Sequence, residues 1–483
     1  MSADDLIALS PIIILSAAAV AVMVAIAVKR DFAMTTAMAF SGILASLTAL
    51  GIVWQASAVQ VTPLIVVDPY GLFYMTLLLL AGLAVIPLCY GYFKDRAGEN
   101  EEVMVLLLTA LLGGAVLVTS SHFATFFIGL ETLSVSLFVL IGYSLEQRRS
   151  LEAAVKYLIL SGVSSAFLLM GMALIYAESG DLYFASIGRH IASQSDISAM
   201  LLTGVIFIAT ALGFKLSLVP FHMWTSDVYQ GAPAPITAFV ATVSKGAVFA
   251  LLLRYFVTTG SYSYASILTV FSIIAVLSIF VGNLLALLQS NVKRILAYSS
   301  IAHLGYLLVA FIAGANIGPA LAVESVSFYL TAYFITTIGA FGIVSVLSSP
   351  QAEAEEIAVY KGLFWRRPWL ATTLTVMLLS LAGIPLTAGF IGKFYVFAAG
   401  ADARLWGLLL TVIAGSGLGL YYYLRIVVEM AKDPEVSEAV RAQIPREWGS
   451  SATLAVLTGM LVWFGVFPGW LVDFLQAVAD SLV

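Results

Sequence analysis

Apolar residues along this chain come in long blocks rather than in alternation. Stretches of about twenty residues or more recur between short polar segments, the pattern of helices that cross a bilayer. Fourteen blocks can be drawn, at 6–28, 32–54, 69–93, 102–120, 122–144, 152–177, 199–229, 235–259, 263–289, 294–315, 319–348, 369–400, 403–430 and 450–477. Two of them, 199–229 and 369–400, are too long for one straight crossing, and each holds an internal proline, Pro220 and Pro385. Proline removes an amide donor and frees carbonyls that are tolerable at membrane depth only where they face protein or water. Both blocks are therefore expected to be discontinuous helices. The pattern predicts an all-α polytopic membrane protein of about 14 transmembrane helices. No polar stretch exceeds about twenty-five residues, too few for a soluble domain with its own core.

The placing of the breaks implies an internal repeat. The fifth block carries Glu131 and the seventh the Lys215/Pro220 break; five blocks later the tenth carries His303 and the twelfth the Pro385/Lys393 break. Five is odd, so the second unit would enter the membrane upside down relative to the first. Two inverted five-helix repeats, each with a discontinuous helix, are how many ion-coupled carriers build a path from both faces to the midplane. The organisation expected is 1–101 (three N-terminal spans), 102–259 (first repeat), 260–430 (second repeat) and 431–483 (a cytoplasmic connector and the last span).

Charge fixes the orientation. With the N-terminus outside, fourteen lysines and arginines fall in the inner loops, among them Lys293 and Arg294, while Arg189, Arg404 and the helix-end Arg254 fall outside. Both termini are then on the outer face. Acids precede the first apolar block, unlike a signal peptide, so that span is expected to be retained. The outer loop from Glu178 to Ser198 has room for a short surface helix, and the inner segments 348–368 and 431–448 for amphipathic connectors. Overall, 61% of residues are hydrophobic and 10% charged, and the formal charge of −5 comes without a basic run that would hold nucleic acid. One cysteine, Cys89, and four scattered histidines offer no metal site.

What changes the picture most is the charge inside the blocks. The stretch LGFKLSLVPFHMWTSDVYQGAPAPITAFVATVSK, from Leu212 to Lys245, places Lys215, Pro220, His222 and Lys245 in lipid-grade sequence. An ammonium at bilayer depth is costly unless paired or hydrated, so two of them point to use. Glu131 is also mid-bilayer: it either ties two helices together or tunes a neighbouring lysine, since an opposite charge favours the ammonium. Lys156, a turn from the cytoplasmic end, either snorkels or takes part. His222 either caps carbonyls freed by the break or relays protons. His303, central in its block, can relay protons without a permanent charge. Lys393 sits on the outer half of the second break. Arg425 and Glu429 read as a local pair, Asp68 and Asp227 as helix-end caps, and Tyr421 to Tyr423 as packing.

No phosphate-binding glycine loop, haem ligand set, iron–sulfur ligand set or dinucleotide fingerprint is present. Energy must then arrive from an ion gradient or from partners. The strings GFKLSLVPFHMWTSDVYQGAPAPITAFVATVSK, NVKRILAYSSIAHLGY and LAGIPLTAGFIGKFYVF resemble the antiporter-like membrane subunits of respiratory complex I, the proton-translocating NADH:quinone oxidoreductase. The resemblance implies a proton-pumping module. In it Glu131 and Lys215 match the family's glutamate–lysine pair, Lys245 its connecting lysine and Lys393 its exit lysine, with Lys156, His222 and His303 auxiliary. It also implies no cofactor in this chain, with FMN, iron–sulfur clusters and quinone in partner subunits. The implied partners are other membrane-arm subunits, including the neighbouring antiporter-like subunit M and the small subunit K, besides membrane lipids and protons. The competing readings are a subunit of a Mrp-like cation/proton antiporter and a non-pumping membrane scaffold.

Overall fold

The computed structural model describes residues 3–54, 59–194, 196–261, 264–433 and 447–482. It is helical almost throughout. Helices α1 (Ala3–Val28), α2 (Phe32–Val53) and α3 (Pro69–Phe93) come first, with a short antiparallel hairpin, β1 (Val59–Thr62) and β2 (Ile65–Val67), between the last two. They are followed by α4 (Glu102–Val118), α5 (Phe123–Ile141), α6 (Arg148–Ser179), the short α7 (Phe184–Ala192), α8 (Ala199–Lys215) and α9 (Met223–Gly231). The next span is α10 (Ala234–Phe239), a π-helical turn at Val240–Ser244 and α11 (Lys245–Thr259), continuous as one rod. Then come α12 (Ala265–Leu287), α13 (Val292–Ile317), α14 (Pro319–Leu347), α15 (Leu363–Arg366), α16 (Pro368–Ala382), α17 (Ala388–Asp402), α18 (Trp406–Ala431), α19 (Trp448–Val466) and α20 (Gly469–Asp480).

The boundaries follow from local chemistry. The Asp68 carboxylate accepts from the Gly71 N–H at 2.7 Å with Pro69 in the first turn, and Asn291 caps α13 through the Arg294 N–H at 3.0 Å. Ser198 starts α8 through the Leu201 N–H, and Gly180, at φ 70°, ends α6 in the left-handed region. Eleven helices among the described residues are long and apolar enough to cross a membrane, and three shorter apolar ones, Glu102–Val118, Ala199–Lys215 and Pro368–Ala382, fill the remaining positions of the expected series.

Burial sorts the spans into centre and rim. The apolar window of the α10–α11 rod is 100% buried and that of α13 94%, against 22% for α1, so the rod and α13 form the axis and α1 lies at the rim of the chain. In each five-span unit the first two helices pack along each other, α4 on α5 and α12 on α13, and the third packs on the interrupted fourth, α6 on α8 and α14 on α16 and α17. Gly113 and Gly129 let α4 and α5 touch backbone to backbone: a Cβ at Gly113 would lie 2.5 Å from the Leu133 nitrogen.

The structure redraws several sequence boundaries. The seventh block is non-helical from Leu216 to His222, where Ser217 has φ 62° and Pro220 lies, and the twelfth from Gly383 to Thr387, where Pro385 lies. The last block is two helices, because Pro468, after Phe467, has no amide to continue the ladder; the amphipathic α20 folds back onto α3 and α14. The hairpin at 59–67 was unannounced. Of the connector 431–448, residues 434–446 lie outside the described residues.

Candidate functional site

Lys215, Lys245, His303 and Lys393 each occupy a hydrogen-bonded niche, and the niches follow one another across the middle of the fold; Lys156 and His222 lie apart from them. Lys215 closes α8 at the first break and is 2% exposed. Its ammonium donates to Ser134 Oγ on α5 and to Ser161 Oγ on α6, both at 2.6 Å. Glu131, a turn before Ser134, accepts instead from Ser165 Oγ at 2.6 Å, a turn after Ser161. The two charged groups thus sit in adjacent serine-lined niches and form no ion pair. The glutamate and lysine expected to pair are here neighbours, each held by its own hydroxyls on α5 and α6.

Lys245 opens α11 directly after the π-helical turn and is 1% exposed. π-Turns are often found at functional sites, because one extra residue re-aims the side chains that follow. The Lys245 ammonium donates to Ser300 Oγ on α13 at 2.7 Å and lies 5.2 Å from the centre of the Tyr229 ring. Ser300 also accepts from the Tyr333 hydroxyl at 2.7 Å. Between the Lys215 niche and Lys245 stands Tyr157, whose ring is 5.8 Å from the Lys215 ammonium and whose hydroxyl is hydrogen-bonded to Ser244, the residue before Lys245.

On the far side of Ser300, one turn along α13, His303 is held between two tyrosines. Its Nδ1 is 2.6 Å from the Tyr329 hydroxyl and its Nε2 3.2 Å from that of Tyr423, which also bonds Ser299. A cavity of about 10 Å³, space for about one water, is lined by His303, Tyr333, Thr336, Ser380 and Gly389, so it joins the histidine to the second break. Lys393 on α17 reaches back across that break: its ammonium donates to the Ala382 carbonyl, the last of α16, at 2.9 Å and lies 5.2 Å from the centre of the Tyr306 ring. A carbonyl freed by the helix break is thus satisfied by the lysine itself.

Lys156 and His222 are placed elsewhere. Lys156 is near the start of α6, paired with Glu152 at 2.6 Å and with Asp227 at 2.8 Å, and Asp227 in turn holds Arg294 at 3.1 Å. Asp227 is therefore the centre of an ion network inside α9 and not an end cap. His222 precedes α9 at the first break, where its ring hydrogen-bonds the backbone of Pro220 and Nδ1 has no partner among the described residues. Arg425 donates to the Leu287 and Gln289 carbonyls, and Glu429 pairs with Lys432 one turn on at 2.5 Å, so the expected Arg425–Glu429 pair is not formed. Among the described residues no three metal-ligating side chains come together.

Sequence reasoning missed the hydroxyls. Tyr157, Ser134, Ser161 and Ser165 looked like ordinary helix residues, and Tyr423 like packing. One signal was available: Ser299, His303 and Tyr306 stand at spacings of four and three, which puts them on one polar stripe of α13.

A family model described as NADH:quinone oxidoreductase/Mrp antiporter, transmembrane, matches residues 120–419. A protein named NADH-quinone oxidoreductase subunit N from Methylococcus capsulatus is 51% identical over 98% of this chain and 95% of its own, and one of the same name from Ectopseudomonas mendocina is 45% identical over 99% and 97%. A chain of respiratory complex I from Thermus thermophilus, solved with bound aureothin, superposes with a TM-score of 0.82 at 30% identity, covering 97% of this chain and 99% of that one. A chain of the Mrp complex from Dietzia shares the fold, with a TM-score of 0.84 at 20% identity over 100% and 98% of the two chains.

Proposed function

The chain belongs to the NADH:quinone oxidoreductase/Mrp antiporter transmembrane family, as a membrane-arm subunit of NADH:quinone oxidoreductase, and from that premise we propose that it moves protons outward along the series Glu131, Lys215, Lys245, His303 and Lys393. The observation that carries the proposal is the run of buried ammonium groups, each held among hydroxyls: Lys215 on Ser134 and Ser161, Tyr157 on Ser244, Lys245 on Ser300, and His303 on Tyr329 and Tyr423. Hydroxyls donate and accept, so a line of them passes protons between amines without holding charge.

Each lysine holds or releases a proton according to the charge near it. Moving Glu131 toward Lys215 favours the ammonium, and moving it away favours the free amine. The Ser165 and Ser161 contacts, on one helix, make small motions of α6 relative to α5 sufficient to change that distance. Redox chemistry enters as movement transmitted by partners: FMN, iron–sulfur clusters and quinone belong to other subunits in this reading, and this chain holds protons only. Glu131 is only half-buried and shares α5 with the exposed Ile128 and Val135. A carboxylate so placed at bilayer depth calls for a protein neighbour, and subunits M and K of the membrane arm are the neighbours proposed.

The test is the assembled complex carrying Lys215→Met or Glu131→Gln. Both should lower the number of protons moved per NADH oxidised, the lysine change more strongly. Wild-type pumping by an assembled Lys215→Met complex would remove this lysine from the path.

The reading also sets orientation, with both termini on the periplasmic face of a bacterial inner membrane, in accord with the inner-loop bias of lysine and arginine. Gln351 in the cytoplasmic connector and Ser193 after α7 are both exposed. Cysteines introduced there should react with an impermeant reagent from opposite sides of the membrane. Reaction of both from one side contradicts the alternation of spans.

A further inference from the structure

Lys293 counts as a loop charge by sequence, yet its side chain is fully buried. Its ammonium donates to the Ala232 carbonyl at 2.6 Å and pairs with Glu353, which descends from the connector between α14 and α15. Glu353 also accepts from the Tyr92 hydroxyl at the end of α3 and, at 3.3 Å, from the Ala234 N–H that opens α10. The connector is fixed in this position by its own backbone, with the Ile357 N–H donating to the Ser290 carbonyl at 3.0 Å, and by Glu355, which accepts from Asn291 at 2.9 Å, Gln230 at 3.2 Å and Arg149 at 3.1 Å.

Stability is a weak reason for such a pair, because removing two charges from water costs about what their attraction returns. Its position gives a better one. Lys293 and Ser300 are seven residues apart on α13, two turns, so they share a face roughly 10.5 Å apart along the axis. Ser300 is the group that holds Lys245. The Ala232 carbonyl that Lys293 touches belongs to the link into the rod that carries Lys245, and Tyr229, just before that link, has its hydroxyl 3.4 Å from Ser300 and its ring beside the Lys245 ammonium.

We propose that Glu353 and Lys293 form the cytoplasmic entrance of the proton path, taking protons from the inner aqueous phase and passing them along this face of α13 to Lys245. The inference rests on the reading of Lys245 as a proton carrier. The Lys293 ammonium gives up one proton toward Ser300 and becomes a neutral amine. The Glu353 carboxylate takes a proton from a cytoplasmic hydronium, leaving water, and hands it to the amine, which restores the ion pair. One proton has moved from the cytoplasmic phase into the protein and no other bond has changed. Tyr92 and the Ala234 N–H hold the carboxylate in place while its charge comes and goes.

The experiment compares Lys293→Arg, Glu353→Gln and Lys245→Met in the whole complex, in membrane vesicles, with each sample normalised to assembled enzyme. Arginine preserves the cation and the pair but cannot release a proton, and glutamine keeps one acceptor oxygen for Tyr92 and the Ala234 N–H but cannot take a proton. A positioned proton-transfer group typically contributes about 10²–10⁴-fold, so proton uptake should fall at least about a hundredfold in both variants. Wild-type pumping by Lys293→Arg identifies the pair as a structural latch and overturns the proposal. If the longer guanidinium does not fit and that variant fails to assemble, Glu353→Gln decides alone: wild-type pumping there overturns it equally. Loss of pumping in Lys245→Met together with normal pumping in the two entrance variants overturns the entrance and leaves Lys245 standing. Normal pumping in all three overturns both readings.

Discussion

Lys245→Met should assemble with its partners and leave proton pumping at least about a hundredfold slower, the low end of what a positioned proton-transfer group supplies. Folding should survive because the substitution strands nothing. Ser300, which loses the ammonium as a donor, keeps the Tyr333 hydroxyl at 2.7 Å, and methionine fills the lysine's space along the Tyr229 ring with a flexible apolar chain. What is lost is the one amine between the Lys215 niche and His303. Lys245→Arg is the sharper variant. It restores charge and hydrogen bonding but not function, since a guanidinium does not give up its proton in a protein. NADH oxidation should slow along with pumping if the two are tightly linked. An assembled Met variant that pumps at the wild-type rate per electron makes Lys245 structural.

The elements that the sequence made legible are those with a single local cause. A bilayer demands about twenty apolar residues per crossing, and proline plus excess length marks a broken helix, so the spans and both interruptions could be read directly. Lysine in a lipid-grade helix is costly enough to be conspicuous, which is why Lys215, Lys245 and Lys393 stand out on inspection. The hydroxyls between them carry no such cost. A serine in a helix can satisfy itself on the carbonyl four residues back, as Ser165 does with Ser161 at 3.1 Å, so its sequence context does not reveal that it also binds Glu131. The ion pairs were illegible for a related reason. Asp227 and Lys156 are 71 residues apart, and Lys293 and Glu353 are 60, so pairing depends on the packing of helices rather than on spacing along any one of them. The π-helical turn before Lys245 has no signature in Val240–Ser244, where β-branched residues are compatible with several backbones.

The other large effect concerns a cation that should have no part in transport. Arg254 read as an outer helix end, but it is 3% exposed, and its guanidinium grips Asp68 with two hydrogen bonds of 2.7 Å. Its Nε donates to the Val118 carbonyl at 3.1 Å, and the Tyr70 ring lies 4.8 Å away. Asp68 meanwhile caps α3, so the pair ties together the start of α3, the end of α4 and the C-terminal part of α11. Every buried cation in the proposed path is a lysine, which can release a proton, whereas this one is an arginine, which cannot. Its role is to anchor the rod nine residues, or roughly 13.5 Å, beyond Lys245. Arg254→Leu would leave the Asp68 carboxylate buried without a counter-charge, and breaking a buried pair from one side costs about 3–5 kcal/mol. The variant should therefore accumulate poorly in the membrane and melt at a markedly lower temperature when purified in detergent. Adding Asp68→Asn removes the orphaned charge while keeping a side-chain oxygen for the Gly71 N–H, so the double variant should recover most of the lost stability and, once assembled, pump protons normally. A double variant that remains as unstable as Arg254→Leu would show that the packing of the guanidinium on Tyr70 and Val118, and not the charge on Asp68, is what holds the rod.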